Sequence, residues 1–151
     1  MKKEPVILIA EDDRGHFELI KRNLWLNCVN NEILHFSDGQ EILDFLFQRG
    51  NGGKREKNCS YILLLDIRMP KIDGREVLQQ IKQHEELKTI PVIMLTTTTE
   101  VSEINQCYEM GCSFYMVKPI NYNKFMGAVE NLGAFLSLDG VRVPPINGQN
   151  Q

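Results

Sequence analysis

Residues 61–74, YILLLDIRMPKIDG, place a run of five apolar or aromatic residues directly before an aspartate and a proline-containing turn. A continuous apolar run without polar alternation is typical of a parallel strand that is covered on both faces. We therefore expect Asp66 to emerge at the carboxyl end of a buried strand. The other residues of the chain must then indicate what role a charged side chain has at the end of a buried strand.

Short runs rich in Val, Ile, Leu, Phe or Tyr recur along the chain and alternate with helical patterns. The helical patterns carry apolar residues at spacings of three and four, such as Phe17, Ile20 and Leu24 in the first. Strands are predicted near residues 6–10, 32–37, 61–66, 91–95 and 114–117, and helices near 15–27, 40–49, 75–84, 101–110 and 122–138. Strict alternation predicts parallel strands joined by right-handed crossovers. The expected fold is α/β, a three-layer α/β/α sandwich with a doubly wound, five-stranded parallel sheet.

One domain over residues 1–138 accounts for these elements, which suits a chain of 151 residues. Residues 139–151 are expected to form an extended or frayed tail, because Pro144 and Pro145 cannot continue the last helix. Residues 50–60 are Gly-rich and charged, and they predict an exposed loop. Gly111 is suited to end the fourth helix, and Thr99 is a candidate cap for its start.

Composition excludes several classes of protein. With 42% hydrophobic residues and a formal charge of -3, the chain is expected to be globular and to bind no nucleic acid. Its first apolar stretch is too short for a signal peptide, and no segment is long enough to cross a bilayer. We therefore expect a cytoplasmic protein without membrane contact. Four cysteines, expected as thiols used for packing, are Cys28, Cys59, Cys107 and Cys112.

Polar side chains follow four of the five predicted strands. Ligands of open parallel sheets bind beyond the carboxyl ends of the strands, where the strand order reverses. The residues at these ends are Glu11, Asp12 and Asp13 after the first strand, Asp66 after the third, Thr96 after the fourth and Lys118 after the fifth. Taken singly, each is an ordinary turn, cap or surface residue. Their common position at one edge of the sheet favours a shared site.

This set of residues suits the transfer of a phosphoryl group to a carboxylate. Crowded carboxylates repel one another and raise one another's pKa unless a cation joins them. A hard divalent cation with oxygen ligands and retained waters, which in a cytoplasm means Mg²⁺, would relieve this repulsion. A lysine and a threonine add a positive charge and a hydrogen-bond donor for the phosphoryl oxygens. Aspartate is a known covalent nucleophile in such reactions.

From residue 5 to residue 138 the chain resembles the receiver domains of two-component response regulators, which have a flavodoxin-like fold. Glu11 and Asp12 resemble the acid pair of that family, and Asp66 resembles its phosphoacceptor. Thr96 and Lys118 resemble its conserved hydroxyl residue and the lysine of its Lys-Pro pair. The separations between these residues match the family pattern, and so does the turn Met-Pro-Lys-Ile-Asp-Gly at residues 69–74.

The resemblance implies a role for each of these residues. Asp66 would attack the phosphohistidine of a sensor histidine kinase or of a histidine phosphotransfer protein, and Lys118 would pair with the acceptor and then with its phosphate. Mg²⁺ would be bound by Asp12, Asp66 and the backbone carbonyl of Arg68, with Glu11 acting through a water. Asp13 lies one place past the acid pair and would be a neighbour of the metal site.

The resemblance also implies a switch and three tuning positions. Thr96 would move toward the phosphoryl group while Tyr115 swings inward, which reshapes the surface of the fourth helix, last strand and last helix. Arg68 and Thr98 occupy positions that govern how fast water reaches the phosphate. Thr97 stands where many receivers have alanine and is expected to crowd the pocket.

Several local features resemble the stand-alone regulators that partner phytochrome-type histidine kinases. They are the long loop 50–60, the sequence Asp-Gly-Arg-Glu-Val-Leu at 73–78, Leu-Thr-Thr at 95–97 and the proline-containing tail. No effector domain follows residue 138, so signalling is expected to occur by protein contact. Surplus apolar residues in the last helix, among them Tyr122 and Phe125, suggest a homodimer through the last strand and helix.

Two other functions compete with this interpretation. One is a receiver-like scaffold that is never phosphorylated, which the crowding expected from Thr97 would favour. The other is a phosphatase of the haloacid dehalogenase type, which also has an aspartate nucleophile at a strand end. Such enzymes need a second acid two residues after the nucleophile, and this chain has Arg68 there.

Overall fold

Strands and helices alternate along the chain in the computed structural model, which describes residues 4–26, 29–50, 55, 59–97, 99–118, 127, 130 and 131. The elements are β1 Val6–Ala10, α1 Arg14–Leu26, β2 Ile33–Phe36, α2 Gly39–Leu46, β3 Tyr61–Leu65, α3 Gly74–Lys82, β4 Val92–Thr96, α4 Val101–Met110 and β5 Phe114–Val117. All five predicted strands and the first four predicted helices are confirmed, with shifts of at most three residues at their ends.

The five strands form one parallel sheet in the order β2-β1-β3-β4-β5. The chain runs from β1 outward to β2 and then returns to β3 on the other side of β1. The strand order therefore reverses between β1 and β3, which is where doubly wound sheets bind their ligands. The predicted α/β/α sandwich of the flavodoxin-like type is confirmed.

Apolar side chains on both faces of the sheet explain why the central strands are fully buried. On one face, alternate strand residues such as Leu63 and Leu65 pack with α2, α3 and α4. On the other face, Ile62 and Leu64 pack with α1. Side chains of successive strand residues point to opposite faces, so a continuous apolar run fills both cores.

The predicted inner faces of the first three helices are correct for every described residue. They are Phe17, Ile20 and Leu24 in α1, Ile42, Leu43, Phe45 and Leu46 in α2, and Val77, Leu78 and Ile81 in α3. Of the predicted last helix, the described residues Gly127, Glu130 and Asn131 are helical. The tail 139–151, Cys28 and most of the last helix lie outside the described residues, so the predictions for them stay predictions.

The expectation of an exposed loop over residues 50–60 is wrong for two of its described residues. Cys59 is buried, and the side chain of Arg55 is 4% exposed. Arg55 donates from Nε to the carbonyl of Leu46 at 2.7 Å and from Nη2 to Glu86 at 3.2 Å. The last carbonyls of a helix lack partners and carry partial negative charge, so a guanidinium is stabilised at the end of α2 despite its burial.

The start of α4 also differs from the prediction, whereas its end agrees. Glu100 is the N-cap residue, and no side chain forms a capping hydrogen bond there, so the expectation for Thr99 is wrong. At the other end Gly111 adopts a φ of 107°. The amides of Gly111 and Cys112 donate to the carbonyls of Tyr108 and Cys107, which is the hydrogen-bond pattern of a Schellman motif.

The described cysteines agree with the expectation that they are thiols used for packing. Cys59, Cys107 and Cys112 are buried and lie outside any disulfide bond. In the part of the chain that the structure describes, every helix is too short or too polar to cross a bilayer.

Candidate functional site

Backbone hydrogen bonds place Glu11 and Asp66 side by side at the carboxyl edge of the sheet. The amide of Asp66 donates to the carbonyl of Ala10 at 3.0 Å, and the amide of Glu11 donates to the carbonyl of Phe36 at 3.0 Å. Both residues therefore continue the ladders of their strands by one step before the chain turns away. Both residues are buried, with 2% exposure for Glu11 and 7% for Asp66.

The ammonium of Lys118 joins these two carboxylates. Its Nζ donates to Oε1 of Glu11 and to Oδ2 of Asp66, the latter at 3.2 Å. The backbone of Lys118 is fixed as well, because its amide donates to the carbonyl of Thr96 at 2.6 Å. Lys118 is only 4% exposed, so it counters the negative charge inside the protein, where screening by water is weak.

Burial raises the pKa of Glu11 from 4.5 to about 7. Desolvation of the carboxylate is the largest cause, and the nearby charge of Asp66 raises the pKa further. The charge and hydrogen bond of Lys118 oppose this effect, as does the amide of Asp13, which donates to Oε2 of Glu11 at 3.1 Å. The ammonium of Lys118 therefore does not fully offset the cost of burying the Glu11 carboxylate.

Asp12 completes a group of three carboxylates that suits a divalent cation. One oxygen each from Glu11, Asp12 and Asp66 lies within 4.8 Å of the others, and Asp12 is exposed. Oxygen ligands with one side open to water match the preference of Mg²⁺, which retains several waters. A cavity of about 430 Å³ opens beside the group, lined by Asp12, Arg68, Pro70 and Arg75 among others. The residues present therefore fit a magnesium ion.

The turn between β3 and α3 holds the second oxygen of Asp66. The amide of Arg68 donates to Oδ1 of Asp66 at 3.3 Å. A side chain at Gly74 would place its Cβ 2.1 Å from the carbonyl oxygen of Asp66, so only glycine lets α3 begin this close to the acceptor strand. Asp73 fixes the start of α3 by accepting the amide of Glu76 at 3.1 Å. The predicted turn thus fixes the backbone on both sides of the acceptor carboxylate.

The residues assigned to the switch lie at the ends of β4 and β5. Thr96 is fully buried, and it pairs with Val117 in the β4–β5 ladder. Tyr115 is half-buried against the core that includes Cys107 and Cys112, and burial raises its pKa. The backbone amide of Tyr115 donates to the phenolic oxygen of Tyr108 on α4 at 3.2 Å.

Two of the three predicted tuning positions, Arg68 and Thr97, lie among the described residues. Arg68 is exposed and lines the cavity beside Asp12. Thr97 is exposed directly after β4, and Thr98 lies outside the described residues. The carboxylate of Asp13 accepts the backbone amide of His16 at 3.0 Å and lies outside the group of three acids.

Sequence reasoning missed two histidines that contact this site. His16 approaches Lys118 Nζ with its Nδ1 at 3.4 Å. His35 lies with Nε2 2.8 Å from the carbonyl oxygen of Glu11, and its ring stacks on Phe17 at a centroid distance of 3.8 Å. The only available signal was position, since His16 falls on the first turn of a predicted helix just after the acids and His35 near the end of a predicted strand.

Comparison with protein families agrees with this geometry. The family model described as response regulator receiver domain matches residues 7–130. The probable methanogenesis regulatory protein FilR2 of Methanothrix harundinacea is 35% identical over 127 residues, which cover 84% of this chain and 80% of that protein. The response regulator Rcp1 of Synechocystis sp. is 33% identical over 139 residues, which cover 92% of each chain.

Solved structures show the same relationship. The response regulator receiver domain from Rhodospirillum rubrum has a TM-score of 0.86 at 37% identity, covering 93% of this chain and 98% of that one. The Mn²⁺-bound form of Rcp1 has a TM-score of 0.84 at 33% identity, covering 93% and 99%. The phosphorylated cyanobacterial phytochrome response regulator RcpA has a TM-score of 0.81 at 30% identity, covering 94% and 99%. The fold, the acid group and these similarities together show that this chain belongs to the response regulator receiver domain family, and that it is similar to phytochrome response regulators within that family.

Proposed function

We propose that the chain is a single-domain response regulator that accepts a phosphoryl group on Asp66 in a Mg²⁺-dependent reaction. The observation that carries the proposal is the buried Lys118 ammonium between Glu11 and Asp66, beside a third carboxylate at the point where the strand order reverses. A buried cation shared by two acids at a ligand-binding edge suits a reaction in which one acid receives a dianionic group.

In the proposed reaction an oxygen of Asp66 attacks the phosphorus of a phosphohistidine. A phosphorus–oxygen bond forms, the phosphorus–nitrogen bond breaks, and the released imidazole takes a proton from water. Lys118 lies 3.2 Å from Oδ2 and balances charge as the phosphoryl group arrives. Bound Mg²⁺ would be held by Asp12, Asp66, the carbonyl of Arg68 and, through a water, Glu11, and it would supply positive charge against the phosphoryl oxygens.

The proposed partner is a sensor histidine kinase or a histidine phosphotransfer protein in the cytoplasm. A phytochrome-type kinase is the favoured partner, because RcpA is a phytochrome response regulator and its similarity to this chain extends over 94% of the sequence. Phosphohistidine is a planar ring carrying a dianion, and the cavity beside Asp12 has the open side that such a donor needs.

The proposed signal is a movement of Thr96 and Tyr115 that changes the surface of α4 and β5. Thr96 is buried next to the acceptor strand, while Tyr115 is only half-buried. The exposed aromatics Tyr108 and Phe114 lie on that surface, and β5 is an edge strand. These features support a homodimer through the last strand and helix as the readout.

Intact mass after incubation with acetyl phosphate and Mg²⁺ tests the assignment of Asp66. We expect one added phosphoryl group in the wild type, none in Asp66→Asn, and none when EDTA removes the metal. Asp13→Asn is the matched control, because Asp13 is a neighbouring carboxylate outside the group of three, and it should still be phosphorylated.

An adduct that persists in Asp66→Asn would overturn the assignment. No adduct in a wild-type protein that binds Mg²⁺ would favour the unphosphorylated scaffold. Steady release of inorganic phosphate from the donor without an adduct would favour a phosphatase.

A further inference from the structure

We propose that His16 is a positioning residue that orients the Lys118 ammonium for phosphoryl transfer to Asp66. This inference rests on the proposed function and adds a residue to it. His16 is neither one of the three carboxylate residues nor one of the switch residues. It lies on the first turn of α1, and its side chain is 41% exposed.

The argument begins with the hydrogen-bonding capacity of the ammonium. A lysine ammonium has three N–H donors. Among the described residues, three side-chain acceptors lie within reach of Lys118 Nζ. They are Oε1 of Glu11, Oδ2 of Asp66 at 3.2 Å and Nδ1 of His16 at 3.4 Å. Because Lys118 is 4% exposed, bulk water does not readily replace the third acceptor.

This contact requires one tautomer of His16. A ring nitrogen that accepts from an ammonium carries no proton, so the hydrogen of the neutral ring must then lie on Nε2. The same Nδ1 lies 3.7 Å from Oδ2 of Asp13. The position of the ring is set by the helix to which it belongs. The backbone amide of His16 donates to Oδ1 of Asp13 at 3.0 Å, and the next residue, Phe17, is buried in the core.

A neutral acceptor has a specific advantage at this position. Both other acceptors are carboxylates, and a third carboxylate would add negative charge where a phosphoryl dianion must arrive. The imidazole directs one N–H of Lys118 without adding that charge. Without it, the two carboxylates alone would set the position of the ammonium, and small errors in the placement of a reacting group reduce rates strongly.

Three substitutions separate this role from a general structural one. Asn places a polar atom near the position of Nδ1, Gln places one near the position of Nε2, and Leu has neither. We therefore expect the rate constant for phosphorylation by acetyl phosphate at saturating Mg²⁺ to fall about tenfold in His16→Leu and in His16→Gln. In His16→Asn it should stay within about threefold of the wild type.

Two further measurements accompany the rates. The dissociation constant for Mg²⁺ should change by less than about twofold in all three variants, because His16 contacts Lys118 and Asp13, neither of which is assigned to hold the metal. The midpoint of thermal unfolding should be similar in the Asn and Gln variants, which makes their difference in rate a matter of geometry.

The outcomes distinguish this inference from the proposed function. If the wild type takes up no phosphoryl group, the proposed function is wrong and the role of His16 falls with it. If the wild type is phosphorylated and His16→Leu reacts at the same rate, only the role of His16 is wrong. Equal losses in the Asn, Gln and Leu variants, or a parallel loss of Mg²⁺ affinity, would likewise overturn it.

Discussion

The consecutive helices α3 and α4 pack on the same face of the sheet but are held to it very differently. α3 starts with a side-chain cap from Asp73, and its buried residues are Gly74, Val77, Leu78 and Ile81. α4 starts at Glu100 without a side-chain capping bond, and of its ten described residues Cys107 is the one that is buried. Most of the stability of a helix in a protein comes from its packed face, so α4 is expected to be the weaker element.

The difference between α3 and α4 shows how one fold combines a fixed site with a movable surface. α3 begins against the carbonyl of Asp66, so its rigidity keeps the acceptor in place. α4 is joined to β5 by the bond between Tyr108 and the amide of Tyr115, close to the proposed switch. A segment with little buried area can shift at small cost when a phosphoryl group changes the balance between two conformations.

Alanine at the two helix-terminal glycines should give the largest contrast in stability. In Gly74→Ala the new Cβ would lie 2.1 Å from a backbone oxygen, and since backbone cannot yield as a side chain does, we expect a loss of about 4 kcal/mol. In Gly111→Ala the neighbouring atoms belong to the flexible side chain of Lys82, and the cost comes mainly from a φ of 107°. That loss should be about 1 kcal/mol.

Urea unfolding monitored by circular dichroism measures both free energies. Gly74→Ala should also slow phosphorylation, since the acceptor carbonyl must move, whereas Gly111→Ala should leave the rate unchanged. Equal destabilisation by the two substitutions would mean that the ends of α3 and α4 are held alike, and the comparison would fail.

Part of this structure could be predicted from the sequence, and part of it could not. Apolar runs and helical periods predicted which residues face the core, and the ends of the strands predicted that Glu11, Asp66 and Lys118 meet. The contact between His16 and Lys118, 102 residues away, was not predicted, because His16 lies in a helix and not at the end of a strand. The composition of residues 50–60 gave a wrong prediction of exposure for Arg55. The environment of this side chain is set by a tertiary contact, because its Nε donates to the carbonyl of Leu46 at the end of α2.

The buried carboxylate of Glu11 should make the free energy of unfolding depend on pH when no metal is bound. The pKa of Glu11 is raised from 4.5 to about 7, so between these values the unfolded chain binds fewer protons than the folded one. The free energy of unfolding in EDTA should therefore fall as pH rises through this window, by about 3 kcal/mol, and level off above it. Glu11→Gln should remove that fall.

Measurements at pH 5 and pH 8, each with and without Mg²⁺, test this prediction. Because metal binding requires deprotonated ligands, Mg²⁺ should stabilise the protein more at pH 8 than at pH 5. A free energy of unfolding whose pH dependence is the same in wild type and Glu11→Gln would show that Glu11 is not the group responsible. Neither result bears on helix α4, because no contact between Glu11 and α4 is found among the residues that the structure describes.

The smallest and most direct test compares the two helix starts by hydrogen exchange. In the wild type, amides of α4 should open at a lower free energy than those of α3, because α4 buries less apolar area. Asp73→Ala removes the carboxylate that accepts the amide of Glu76, and we expect it to lower the opening free energy of α3 by about 1 kcal/mol. Glu100→Ala removes no capping bond, so it should lower the opening free energy of α4 by less than Asp73→Ala lowers that of α3.

Asp73→Asn is the matched control for the cap, because asparagine keeps an oxygen that can accept the same amide and should retain most of the protection of α3. If α4 proves as well protected as α3 in the wild type, its exposed face must be stabilised by contacts beyond the buried Cys107. The switch would then have to work by moving Tyr115 alone against a fixed α4. If protection of α4 is low and falls further on phosphorylation of Asp66, α4 is the element that carries the signal outward.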